Sequence, residues 1–174
     1  MWLNVTSVIL LTSTLPFDFF QKPCSDIKNG SLSVKGDEII GLRDYCDCSF
    51  ESLAIEKAIF TDLPECFADK TINSLHIERI DLAVFPKGIL KLKGLKELSF
   101  KHTGLSFLPK EISQFKSLRS LDLRGTNINS LPEGLDHLER IDLRMTELNK
   151  ADQKAIRTQY PQLKIYFSSP CNCN

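Results

Sequence analysis

The stretch LKELSFKHTGLSFLPKEISQFKS (residues 95–117) is followed by LRSLDLRGTNINSLPEGLDH (residues 118–137), and the second repeats the first. Apolar side chains fall at matching places. They are Leu95, Leu98, Phe100, Leu105 and Leu108 before Pro109, then Leu118, Leu121, Leu123, Ile128 and Leu131 before Pro132. Working outward, the same spacing aligns FESLAIEKAIFTDLPECFADKT (residues 50–71) and INSLHIERIDLAVFPKGILKLKG (residues 72–94) above these rows. Residues 138–162 align below them, and LKIYF (residues 163–167) begins a further strand. Self-similarity at a fixed period of about 20–30 residues marks a stacked repeat, because one such row cannot bury its apolar side alone.

The spacing predicts the local structure. Alternation such as Leu98-x-Phe100 makes a short strand whose apolar residues all point to one side. The proline that follows suits the first position of a helical turn. Ile89 and Leu92, or Ile112 and Phe115, then fall three apart on one face of that turn. Burying each such leucine contributes about 1.5–3 kcal/mol, so five rows make a workable core.

The shared pattern, L-x-x-L-x-L-x-x-[T/N]-x-L-x-x-L-P, resembles the leucine-rich-repeat family over two-thirds of the chain, residues 50–167. The LPKEI and LPEGL segments, and the close in helix, proline and LKIYF, resemble short bacterial repeat proteins of the Leptospira and Bacteroidetes type. The resemblance implies an α/β right-handed solenoid with short parallel strands on the concave face and helical turns on the convex face. Two departures stand out. The family's turn asparagine is replaced by Ala58, Ile80, Thr103, Thr126 and Thr146; threonine can make part of its hydrogen bonding, alanine and isoleucine none. The row at residues 118–137 is short by about three residues, which predicts a tight turn around Gly134 in place of a helix. In the last row, Asp152 is expected to cap a helix running through Arg157.

Around the repeats we expect a segment 1–23 that is either an atypical export signal or an N-terminal cap, a cysteine-bearing cap at 24–49, and a cysteine-bearing tail at 168–174. The start is apolar from Val8 to Leu11 but carries no Lys or Arg before Lys22, so the positive region of a secretory signal is missing. Cys24, Cys46, Cys48, Cys66, Cys171 and Cys173 cluster at the two ends. That placement reads either as bridged end caps in an oxidising compartment or as reduced thiols in a cytoplasmic protein. Neighbours in a C-x-C seldom pair with each other, so each is expected to reach elsewhere.

Lys plus Arg and Asp plus Glu are both 22. This neutral balance offers no electrostatic case for nucleic acid, and no apolar run approaches the ~20 residues of a transmembrane helix. No phosphate loop occurs among the eight scattered glycines. The two C-x-C pairs are expected at opposite ends of the stack, too far apart for one zinc ion unless a tail folds back. No serine or cysteine is expected to form a nucleophile–base pair with His76, His102 or His137. These observations predict no cofactor, no metal and no catalysis.

Residues between the leucines should point out of the concave face in three files. One is Ala54, His76, Ser99, Asp122 and Asp142. The second is Glu56, Glu78, Lys101, Arg124 and Arg144, and the third Ser52, Ser74, Glu97, Ser120 and Arg140. The expectation is a monomeric, non-enzymatic module, secreted or at the cell surface, binding a protein partner through this face. Its binding residues would be His76, Glu78, Glu97, Ser99, Lys101, Asp122, Arg124, Arg140, Asp142 and Arg144. The alternative is an intracellular scaffold without export. Asp122 and Asp142 lie two residues from Arg124 and Arg144 on the same strand face, so the alternative for this surface is a solvated face in which Asp and Arg pair along and across strands. On the binding reading, reversing Arg124 and Arg144 to Glu is expected to abolish partner capture and leave thermal unfolding nearly unchanged.

Overall fold

Alternating apolar and polar residues give each row one short strand, and hydrogen bonding between rows sets the strands side by side. The computed structural model describes residues 23–36 and 41–168. The opening segment 1–22 and the tail with Cys171 and Cys173 lie outside the described residues. The strands are β1 (Ser31–Lys35), β2 (Ser52–Glu56), β3 (Ser74–Glu78), β4 (Glu97–Lys101), β5 (Ser120–Asp122), β6 (Arg140–Leu143) and β7 (Lys164–Phe167). They form one seven-stranded sheet in chain order, every pair parallel. β1 comes from the expected cap region, where SLSVK adds a strand ahead of the five rows.

The register puts the leucines in file. Leu32, Leu53, Leu75, Leu98, Leu121 and Ile141 pair strand to strand and are each at most 1% exposed. Ile55, Ile77, Phe100, Leu123 and Leu143 form a second buried file. Side chains at the strands' i and i+2 positions therefore face a common core, and each coil completes its burial against its neighbours.

Every strand from β1 to β6 is followed by a residue with positive φ: Gly36, Lys57, Arg79, His102, Gly125 and Met145. This left-handed residue turns the chain out of the sheet. In the first five its N–H donates to the carbonyl opposite on the next coil, as from Lys57 to Glu78 and from His102 to Arg124. Only two of the six are glycines, so four coils carry the left-handed strain on an ordinary side chain. At Gly125 a Cβ would stand 2.4 Å from Nδ1 of His102, which lies against it.

The convex side is made of 3-10 turns at Glu65–Asp69, Lys87–Lys91 and Lys110–Gln114. Here Pro64, Pro86 and Pro109 stand one residue before the turn, extended, with their carbonyls accepting its first hydrogen bond. This corrects the expectation that proline would be the first helical residue. The short arc leaves room for little more than one i→i+3 turn, and it still buries Ile89 with Leu92 and Ile112 with Phe115. The short row has no helix at that place and turns through Gly134 at φ +80°.

The two ends close differently. Disulfides Cys24–Cys48 and Cys46–Cys66 tie the first coils, so each cysteine of the Cys46/Cys48 pair reaches elsewhere. Lys70 donates to the carbonyls of Cys46 and Cys48 (2.7 and 2.5 Å) and lies over the rings of Phe50 and Phe67. At the other end α1 (Lys150–Gln159) covers the last coil with Ile156 and is followed by buried Tyr160, whose hydroxyl donates to the Pro132 carbonyl. Asn149 caps this helix, accepting from Ala151 and Asp152, while Asp152 accepts from the Asn149 N–H. The reciprocal pair is a capping box, so the cap lies three residues earlier than the sequence suggested.

Candidate partner-binding face

The strand register produces the three outward files. Ser52, Ser74, Glu97, Ser120 and Arg140 are successive partners, and Lys164 extends them. Ala54, His76, Ser99, Asp122, Asp142 and Tyr166 form the middle file. Glu56, Glu78 and Lys101 begin the third, and Arg124 and Arg144 follow just past the ends of β5 and β6. Strand spacing of about 4.8 Å sets the distance between rungs.

At the N-terminal end the third file is acidic and locally neutralised. Glu56 meets Lys35 at 2.6 Å and Arg79 at 3.0 Å, and Arg79 also reaches Glu78 at 3.3 Å. In the middle, His76 Nε2 lies 2.7 Å from the hydroxyl of Ser74. The spacing predicts no serine in a nucleophile–base pair with a histidine, yet residues two apart on a strand share a face, and Ser74 and His76 meet there. Burial chiefly holds the His76 imidazole below its ordinary range, and Lys101 adds to it, while Glu97, Asp122 and Glu78 pull upward. Ser99, expected on the surface, is buried at 3% exposure, with its hydroxyl unpartnered among the described residues.

The C-terminal end is a lattice of ion pairs. Asp122 accepts from Nε and Nη2 of Arg124 at 3.0 and 2.8 Å and also from the Arg124 N–H. Asp142 repeats this with Arg144 at 2.9 and 2.6 Å. Lys101 stands 3.6 Å from Asp122, and Arg124 Nε 3.5 Å from Asp142. Half-burial, the largest influence on the Asp122 carboxyl, works to raise it. The hydrogen bonds from Arg124, with the charges of Arg124 and Lys101, outweigh it and hold that carboxyl below the usual range.

The Asp–Arg pairing along and across strands that the spacing allows is therefore present at both positions. Each guanidinium folds back on the aspartate two residues before it. Reversing Arg124 to Glu would set a carboxylate against Asp122 and Asp142, so unfolding would not stay unchanged.

Arg140 donates to Ser120 Oγ at 2.7 Å and reaches Glu97 at 3.5 Å. Tyr166 carries Arg144 and Lys164 on its ring, at 5.8 and 5.3 Å from the centroid. These groups border an open cleft of about 370 Å³ lined by Ser120, Asp122, Arg140, Asp142, Arg144 and Tyr166. Lys164 and Tyr166 were missed by the sequence reading. Continuing its own files one strand further, into LKIYF, finds both.

Parallel strands in chain order, left-handed exits and aliphatic files at a period near 23 residues define a leucine-rich-repeat solenoid, an architecture that offers its strand face for protein interaction. No protein-family model matches the sequence, and no curated protein does. Among solved structures, the chain is similar to a leucine-rich-repeat protein of Leptospira interrogans, with a TM-score of 0.68 and 28% identity. The match covers 79% of this chain and 36% of that one, so this chain spans little more than a third of its relative. Among the described residues no helix is long and apolar enough to cross a membrane.

Proposed function

We propose that this chain is a non-enzymatic binding module that holds a partner protein on the concave strand face, in an exported or surface-associated setting. The observation that carries the reading is the unbroken register of the two outward files that run from Ser52 to Lys164 and from Ala54 to Tyr166, ending in the cleft beside Tyr166. Concave strands are the extended surface that solenoids use for partners. The bridged N-terminal cap favours an oxidising compartment.

Steric blocking tests this reading. Ser120→Trp fills the centre of the concave face, and Lys110→Trp places the same bulk on the convex turn. Quantitative affinity capture from the native source should recover a partner with the parent chain and Lys110→Trp, and at least about tenfold less with Ser120→Trp, a loss of about 1.4 kcal/mol or more. Equal recovery by both variants removes the concave face from the function.

A further inference from the structure

Resting on that reading of the concave face, we infer that its C-terminal half receives carboxylates of an acidic partner segment on the outer edges of Arg124 and Arg144. A guanidinium has five N–H donors and two edges that can grip a carboxylate bidentately. In both arginines the edge made by Nε and Nη2 is already filled, by Asp122 and by Asp142. The Nη1 group of each makes no hydrogen bond among the described residues, so the end edge, Nη1 with the second Nη2 hydrogen, is left for a visitor.

The aspartates do more than neutralise. By holding each fork in one orientation they remove most of the rotamer freedom that a long side chain loses on binding. Arg144 also lies over the ring of Tyr166, 5.8 Å from its centroid. The two forks sit on neighbouring rungs, and neighbouring carboxylates of an extended acidic segment match them.

Local charge selects the kind of anion. Lys101, Arg124, Arg140, Arg144 and Lys164 face Glu97, Asp122 and Asp142, an excess of two positive charges. Lys164 has no carboxylate partner among the described residues. That balance suits a few carboxylates. A polyanion such as nucleic acid would meet the fixed aspartates and a chain of zero net charge.

The test uses the full chain and fluorescein-labelled octapeptides of alternating Glu and Ser, with Gln–Ser and phosphoserine–Gly octapeptides as controls, followed by anisotropy. The Glu peptide should bind at least tenfold more tightly than the Gln peptide, and weaken in high salt. Arg144→Lys keeps the charge but loses the planar end edge, and should bind the Glu peptide about tenfold more weakly. Lys110→Ala on the convex side should bind as the parent does.

Equal binding of Glu and Gln peptides, or no effect of Arg144→Lys, overturns the inference. So does phosphoserine binding where the Glu peptide fails. Partner capture that Ser120→Trp abolishes, but that excess Glu peptide leaves intact, also overturns it while the concave-face reading stands. Glu-peptide binding that survives Ser120→Trp counts against both.

Discussion

The first coils and the last coils share one backbone geometry and are held by different chemistry. Around β1 and β2, two disulfides and Lys70 over two phenylalanine rings close the stack, and the turn positions Ala58 and Ile80 offer no side-chain hydrogen bond. Around β5 and β6 the turns are tied by Thr126 and Thr146, which donate to the carbonyls of Leu123 and Leu143 at 2.7 Å. The strand face there is tied by the Asp–Arg pairs. The difference teaches that coil geometry is set by the aliphatic files common to all rows. What fastens each coil is local and replaceable.

The largest break in this comparison comes from the covalent end. Cys46→Ser with Cys66→Ser opens a bridge closing 20 residues of separation, and should lower stability by about 3 kcal/mol. Hydrogen exchange should rise first in β1 and β2, while β5 and β6 stay protected. Thermal unfolding with and without reductant measures the effect. Six free thiols in the untreated chain would remove the bridged cap altogether.

A smaller change is expected at the ionic end. Asp122→Asn should cost about 1–2 kcal/mol, discounted because the pair is half-exposed to solvent. The pH dependence has a definite sign. The folded carboxyl titrates below its unfolded value, so its stabilisation is complete above pH about 4 and is lost as pH falls through the folded pKa. Melting temperature against pH should fall more shallowly below pH 4 in the variant. Parallel curves would show that Asp122 is not the group responsible.

The smallest test sharpens the contrast between turns. Thr126→Val removes the bond to Leu123 and should destabilise by about 1 kcal/mol. At Thr103 the buried hydroxyl has no partner among the described residues, so Thr103→Val should be neutral or stabilising. Equal losses at the two positions, read by denaturant midpoints, would erase the distinction.

Much of this is legible in the chain itself. A period-2 strand inside a period near 23 residues fixes which residues stack, so leucine spacing alone reveals the files through Leu98, Leu121 and Ile141 and the outward files beside them. Side-chain closure is not legible in the same way. The spacing places Asp122 and Arg124 on one face and allows them to pair, but does not reveal which edge of the guanidinium Asp122 takes. Ser74 and His76 make the same point, since i and i+2 neighbours on a strand meet only if their rotamers allow. Cysteine pairing is set by the fold of the cap, which no repeat pattern describes. Ser99, in the middle of β4, departs from its expected exposure, and the leucine spacing carries no signal of it.

The left-handed exits have one more consequence. None of Gly36, Lys57, Arg79, His102, Gly125 or Met145 is valine, isoleucine or threonine, the residues whose forked Cβ tolerates that conformation least. A diverged chain whose leucines have drifted should still carry this gap in its alphabet once per turn. The excluded letters then serve as a ruler for counting coils where the included ones have faded.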